Sequence, residues 1–233
     1  MTESERRGGR ARDSQRTRAA ILNAAETIFA QHGFEGARIE AIAKASGYNN
    51  SLLFRYFGDK LGLYTEVLKR ADREMSELLA RVFIPMLKDD TITSDANRFR
   101  AFLSITFGAV FDYMVEHPNF MRLLNWEQAE GVQTFVRIAS NFEPTDLVQF
   151  EALFSKAFRA GLVRPDLDVV VMLVLVAQIC WSALAALPLY QLVVGGRDLS
   201  SATVLAHLRK QIIALIVAGV TLDPGAEQLE ESG

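Results

Sequence analysis

Ala37-Arg38-Ile39-Glu40-Ala41-Ile42-Ala43-Lys44-Ala45-Ser46-Gly47-Tyr48-Asn49-Asn50-Ser51-Leu52-Leu53-Phe54-Arg55-Tyr56-Phe57 is the stretch on which the fold turns. Ile39, Ile42 and Ala43 fall on one face of a short helix that Gly47 interrupts. A second helix is predicted over Asn50–Phe57, with Asn49 as a good N-cap and Leu53 and Phe57, four apart, as its inward face. In a helix-turn-helix the two helices cross steeply. The first therefore needs a small residue at the crossing, the turn needs tolerance of positive φ, and the second needs an apolar anchor. Ala43, Gly47 and Leu53 supply these at spacings of four and six. Many helical pairs carry Ala and Gly at such spacing, so the neighbourhood has to narrow the reading.

Upstream, Ile21, Leu22, Ala25, Ile28 and Phe29 recur every three or four residues from Ser14 onward, and Gly33 ends that helix. Residues 1–13 are poor in hydrophobics and carry Arg6, Arg7, Arg10 and Arg12, which predicts a disordered basic arm. Such an arm is either a solvated tail or a follower of DNA phosphates or the minor groove. Downstream, Gly58-Asp59 breaks the chain and Asp59 can cap a long helix ending near Pro85. Further helices are predicted over about Thr93–Glu116, from Pro118, Thr134–Asn141, Thr145–Ala160, Asp166–Leu187 and Leu199–Val220, with Gly195-Gly196 between the last two. No useful strand alternation or internal repeat interrupts them, so the predicted class is all-α. The expected division is a disordered arm over 1–13, a three-helix helix-turn-helix domain over 14–60, a larger helical domain over 61–222, and a flexible tail over 223–233.

The 233 residues carry a net charge of −3, unevenly placed. Residues 1–70 hold 12 Lys/Arg and 8 Asp/Glu, a net of +4, and the remaining 13 and 20 leave the rest at −7. A basic head on an acidic body suits a polyanion at one end. Cys180, the single cysteine, sits in an apolar run and reads as a buried small hydrophobe; no intramolecular disulfide is possible. No signal-peptide pattern opens the chain, and a cytoplasmic location is expected. Val169–Tyr190 is an uncharged run of 22 residues, long enough to span a membrane. Gln178, Ser182 and Pro188 interrupt it, and a helix apolar all round is also a buried core helix, so no membrane is expected. His32, His117 and His207 are scattered, and no metal-ligand spacing, nucleophile elbow or phosphate-binding glycine loop occurs. Neither an enzyme nor a cofactor is expected.

From Arg16 to Leu68 the chain resembles the TetR family of transcriptional regulators. The resemblance rests on Ile21-Leu22-x-Ala24-Ala25, Phe29, Gly33-Phe34, Ile42-Ala43, Gly47, Leu53-Phe54-x-Tyr56-Phe57 and Lys60-x-x-Leu63. It implies a homodimer on a near-palindromic double-stranded operator, usually released by a small molecule in the C-terminal domain. A repressor is the expected role, with an activator of the same fold as the alternative, and a helical-bundle protein without DNA function behind both.

Carried over position by position, the resemblance makes Asn50–Tyr56 the recognition helix and sets Asn50, Ser51 and Leu52 against base edges. Asn pairs bidentately with adenine, and an apolar group meets the thymine methyl. Phe54 stands where the family usually has tyrosine. Base contact and packing between helices are both open for Leu52 and Phe54, and Asn49 is more a cap than a base reader. Tyr56 and Lys60 match phosphate-gripping positions, and Arg55 can add a contact. Ala37-Arg38 replaces the usual hydroxyl pair, which removes a cap and offers Arg38 to phosphate. Arg16, Thr17 and Arg18 at the start of the first long helix complete the predicted DNA-binding set. For each basic residue alone, a solvated surface role is the plainer alternative.

The resemblance also makes the last two long helices the dimer bundle, with Val174, Leu184, Leu208, Ile212 and Leu215 as interface residues. Aromatic content predicts a site for a small hydrophobic effector lined by Phe102, Phe107, Phe111, Met114, Trp126 and Trp181, with Gln178 as a polar contact. An ordinary apolar core is the alternative for each. Asp112 or Glu127 inside such a pocket would favour a cationic ligand.

Overall fold

The computed structural model describes residues 3–87, 90–141, 145–193 and 201–222. Among them run α1 (Glu3–Gly36), α2 (Ile39–Ser46), α3 (Asn50–Phe57), α4 (Lys60–Leu87), α5 (Ala96–Glu116), α6 (Pro118–Ala129), α7 (Gln133–Ile138), α8 (Thr145–Arg159), α9 (Val169–Ala185), α10 (Leu187–Val193) and α11 (Ala202–Val220). Short 3-10 turns cover Asp90–Thr93 and Ala139–Asn141, and the one β feature among these residues is an isolated antiparallel bridge, Val163 to Thr221. The all-α class is as expected. Gly195-Gly196 and the tail over 223–233 lie outside the described residues.

The described residues fall into two compact units, one within 1–73 and 117–143 and the other within 74–116 and 144–233. This division falls within α4, where the sequence reading expected a boundary at residue 60. The first half of α4 packs into the N-terminal unit through Leu63, Tyr64, Val67 and Leu68, all buried in the same core as Phe29, Phe34, Leu53 and Phe57. Leu123 of α6 and Ile138 of α7 join that core from much later in the chain. The backbone of residues 3–13, the segment expected to be a disordered arm, runs as a continuation of α1. Extending an existing helix avoids the costly nucleation step, and no proline stands in the way.

In the first unit, helix ends follow their local chemistry. Gly33 (φ 69°, ψ −179°) breaks α1, and Asp59 Oδ1 accepts from the Gly62 N–H at 2.7 Å to cap α4, which runs through Pro85 to Leu87. Arg70 clasps Asn23 and Glu26, and Arg18 pairs with Glu66, so α4 is tied to α1 by charge as well as by core contacts. Trp126 on α6 donates its indole N–H to the Ala30 carbonyl at 3.2 Å. Beside it, Glu127 is buried at 4% exposure, with Oε1 accepting from the Tyr64 hydroxyl at 2.6 Å and Oε2 from the Phe135 N–H at 2.9 Å.

That carboxylate gives the unit a pH dependence. Burial first, then the hydrogen bond to Glu127, raise the Tyr64 phenol above its ordinary value of 10.0. An acid whose pKa rises on folding holds its proton more tightly in the native state. Its contribution is therefore complete below the unfolded value and is lost as pH climbs from there toward the folded value. Tyr64→Phe leaves one Glu127 oxygen unmet and is expected to destabilise the protein by about 1–3 kcal/mol at neutral pH. Urea unfolding of both proteins between about pH 7 and pH 11 checks this. The gap between them should narrow above about pH 10, and a constant gap contradicts the assignment.

In the second unit α5 is the central helix, packed by α9 and α11, and α8 packs on α9. Phe99, Phe102, Leu103, Phe107 and Phe111 of α5 are buried, and Phe99 meets Phe154 of α8 edge-on at 5.7 Å. Asp168 caps α9, its Oδ1 accepting from the Val171 N–H at 2.9 Å. The single helix predicted over Asp166–Leu187 is two helices, α9 and α10, bent by 53° at the break between them. By length and composition alone α11 would suffice to cross a bilayer. Cys180 is fully buried, and burial pushes its thiol up to about 11, as expected of an inert small hydrophobe.

Candidate nucleic-acid interface

The turn between α2 and α3 is built as its residue types require. Gly47 caps α2 in the left-handed region (φ 78°, ψ 14°), and the Tyr48 N–H returns to the Ala43 carbonyl at 3.1 Å. Arg38 occupies the N-cap of α2 without a side-chain cap bond, the expected consequence of Ala37-Arg38 replacing a hydroxyl pair. Asn49 caps α3, its Oδ1 accepting from the Leu52 N–H at 2.9 Å, so its side chain acts first on the helix terminus.

With Leu53 and Phe57 buried, α3 turns its other face outward. Ser51, Phe54 and Arg55 are exposed, and Asn50, Leu52 and Tyr56 are half-buried. Phe54 has 46% of its surface in solvent, which favours a contact role over packing between helices. The flanking groups are held in place. The Tyr56 hydroxyl is 3.0 Å from that of Ser14, the Thr17 hydroxyl donates to Tyr48 at 3.4 Å, and the Arg55 guanidinium lies over the Tyr56 ring. Lys60 donates to the Glu35 carbonyl at 3.1 Å and sits 4.8 Å from the Phe34 ring centroid. Arg18 lies over Phe57 while paired with Glu66. Arg16, Arg38 and Lys44 are exposed around them. The structure thus gathers the predicted DNA-binding residues on one unit. The supporting roles of Ser14, Tyr48 and Glu35 had no sequence signal, because their partners lie 25 to 42 residues away.

Residues 21–67 match the family model of bacterial regulatory proteins, tetR family, and residues 101–216 match that of a tetracyclin repressor-like C-terminal domain. The chain belongs to the TetR family. It is 34% identical over 120 residues to the HTH-type transcriptional repressor SCO4008 of Streptomyces coelicolor, covering 52% of this chain and 54% of that protein. Against the HTH-type transcriptional repressor NicS of Pseudomonas putida it is 29% identical over 125 residues, covering 54% of each. The chain thus spans about half the length of the curated relatives it matches. The crystal structure of SCO4942 from Streptomyces coelicolor aligns with a TM-score of 0.59 and 26% identity, over 88% of this chain and 98% of that one.

In this TetR-family chain the second unit sorts the remaining candidates. Phe102, Phe107, Phe111 and Met114 are buried along α5, and Trp181 on α9 is half-buried. Trp126 is not with them: it belongs to the first unit, against Ala30 and Gly33, because α6 folds back onto α1. Gln178 is exposed beside Leu175 and Ile179 and so lines no buried space. Neither suspected carboxylate is available for a cationic ligand. Glu127 is satisfied inside the first unit, and Asp112 pairs bidentately with Arg209 of α11 at 2.7 and 2.9 Å. Of the interface candidates, Val174 and Leu215 are exposed at 62% and 68%, and Leu184 and Leu208 are half-buried. Ile212 is buried at 7% exposure within its own chain, on the same face of α11 as Ile213, Ile216 and Val220, which removes it from the interface set.

Proposed function

We propose that this chain is a DNA-binding transcriptional repressor that acts as a homodimer on a near-palindromic operator and is released by a small, largely apolar effector held in the second unit. The observation that carries the reading is α3: a helix anchored by Leu53 and Phe57, capped by Asn49, and presenting Asn50, Ser51, Leu52, Phe54 and Arg55 outward among basic residues. Its length and exposure suit insertion into a major groove, with Tyr56, Lys60, Arg16, Arg38 and Arg55 on phosphates. The names of the relatives favour repression over activation. Cytoplasmic location, dimerisation and effector response belong to the same proposal. The exposed apolar residues of α9 and α11 support the dimer, and the aromatic core around α5 supports the effector.

Base and phosphate contacts are separable by experiment. Asn50→Ala should relax sequence preference, losing about 1–3 kcal/mol of discrimination at one base pair. Lys60→Ala should weaken operator and random duplexes alike and flatten the salt dependence of binding. Operator fragments enriched from random DNA by the purified protein, titrated at two salt concentrations, provide the measurement. A Lys60→Ala protein with unchanged affinity on every duplex removes Lys60 from the phosphate set.

A further inference from the structure

Among the described residues, two side-chain polar atoms are buried without a hydrogen-bond partner, both in the second unit: Oγ1 of Thr106 on α5 and Nε1 of Trp181 on α9. The helices that carry them pack against each other. Thr106 is 1% exposed and stands among the buried apolar residues Phe102, Leu103 and Phe107. Folded cores leave few such groups unmet, and each one calls for a physical explanation. The chain's other tryptophan shows the usual outcome, with the Trp126 indole bonded to the Ala30 carbonyl. Because both unmet atoms are buried within one chain, a second copy docked on the exposed face of α9 and α11 does not reach them.

We infer that Thr106 and Trp181 are the polar contacts of the effector site and that the effector carries a carbonyl acceptor on an apolar body. An indole N–H donates and cannot accept, so the complementary ligand atom is an acceptor, and a threonine hydroxyl can donate as well. A pure hydrocarbon would leave both groups unmet. This inference rests on the effector-released reading above and replaces Gln178, which is exposed, with two buried donors as the source of polarity.

The test uses the 233-residue chain labelled with nitrogen-15, which carries two tryptophans and hence two indole N–H signals. Trp126→Phe and Trp181→Phe assign them. The probes are methyl ketones and methyl esters of medium chain length and aryl methyl ketones, each beside its matched alkane or alkylbenzene. In the free protein the Trp181 signal is expected upfield of the bonded Trp126 signal. It should move downfield with a carbonyl compound and stay in place with the matched hydrocarbon. Trp181→Phe and the near-isosteric Thr106→Val are each expected to lower affinity for that compound by roughly tenfold. Thr106→Val keeps the test open if the tryptophan variant folds poorly. A Trp181 signal unmoved by every carbonyl compound, or moved alike by ketone and hydrocarbon, overturns the inference. Release of operator by a compound that leaves Trp181 untouched also overturns it while sparing the repressor reading. A carbonyl compound that binds at Trp181 without changing operator affinity also overturns it, since an effector must couple to the operator.

Discussion

Leu215→Glu is expected to convert the protein from dimer to monomer with its helical content intact. Leu215 exposes 68% of its surface in a single chain, while Ile212, Ile213, Ile216 and Val217 of α11 are buried. An exposed carboxylate at 215 therefore costs the lone chain little. In a two-fold interface the same substitution appears twice, and each carboxylate loses its water without gaining a partner. The penalty for burying an unpaired ion is several kcal/mol, which corresponds to a weakening of the dimer by at least about 100-fold. Val174 and Leu175 on α9 are likewise apolar and exposed, at 62% and 53%, and a charge at either is expected to act in the same direction. Operator affinity should collapse with the dimer, because two recognition helices reach half-sites about 34–36 Å apart only when joined. Sedimentation at micromolar concentration reads the outcome directly. If Leu215→Glu remains dimeric, that surface of α11 is not the interface.

Gly33→Val is expected to be the most damaging single substitution in the first unit. At φ 69° and ψ −179° the backbone of Gly33 lies where side chains are essentially excluded. A Cβ there would stand 2.9 Å from Cδ2 and 3.0 Å from Cε3 of Trp126, and 3.0 Å from Oε1 of Glu130. Backbone strain costs about 1–3 kcal/mol, and forcing the indole aside adds about 1–3 kcal/mol more. The displaced indole would also lose its bond to the Ala30 carbonyl, and α6 its seat on α1. Thermal unfolding should show a loss of about 2–6 kcal/mol for Gly33→Val, with a smaller loss for Gly33→Ala. A Gly33→Val protein that melts with the wild type would mean that α1 and α6 do not meet in solution as described.

The DNA-reading part was legible because its determinants are local. A cap at Asn49, a left-handed turn at Gly47 and a four-residue apolar spacing at Leu53 and Phe57 act within one or two turns of helix, so they placed the end of α2 and both ends of α3. The helical class and most helix boundaries followed from the same short-range rules, while the start of α1 did not: low hydrophobicity at 3–13 spoke for disorder, but an adjoining helix carried the backbone on.

What only the tertiary structure decided is which apolar residues share a core. Sequence pattern shows that Trp126, Trp181, Ile212 and Leu215 are apolar and helical, and it is silent on what each one faces. Folding α6 back onto α1 placed Trp126 in the DNA-reading unit. The side of α11 that meets α5 and α9 buried Ile212 and left Leu215 outside. Contacts between residues scores of positions apart depend on how whole helices pack, and burial is a property of that packing rather than of any residue's neighbours in the chain.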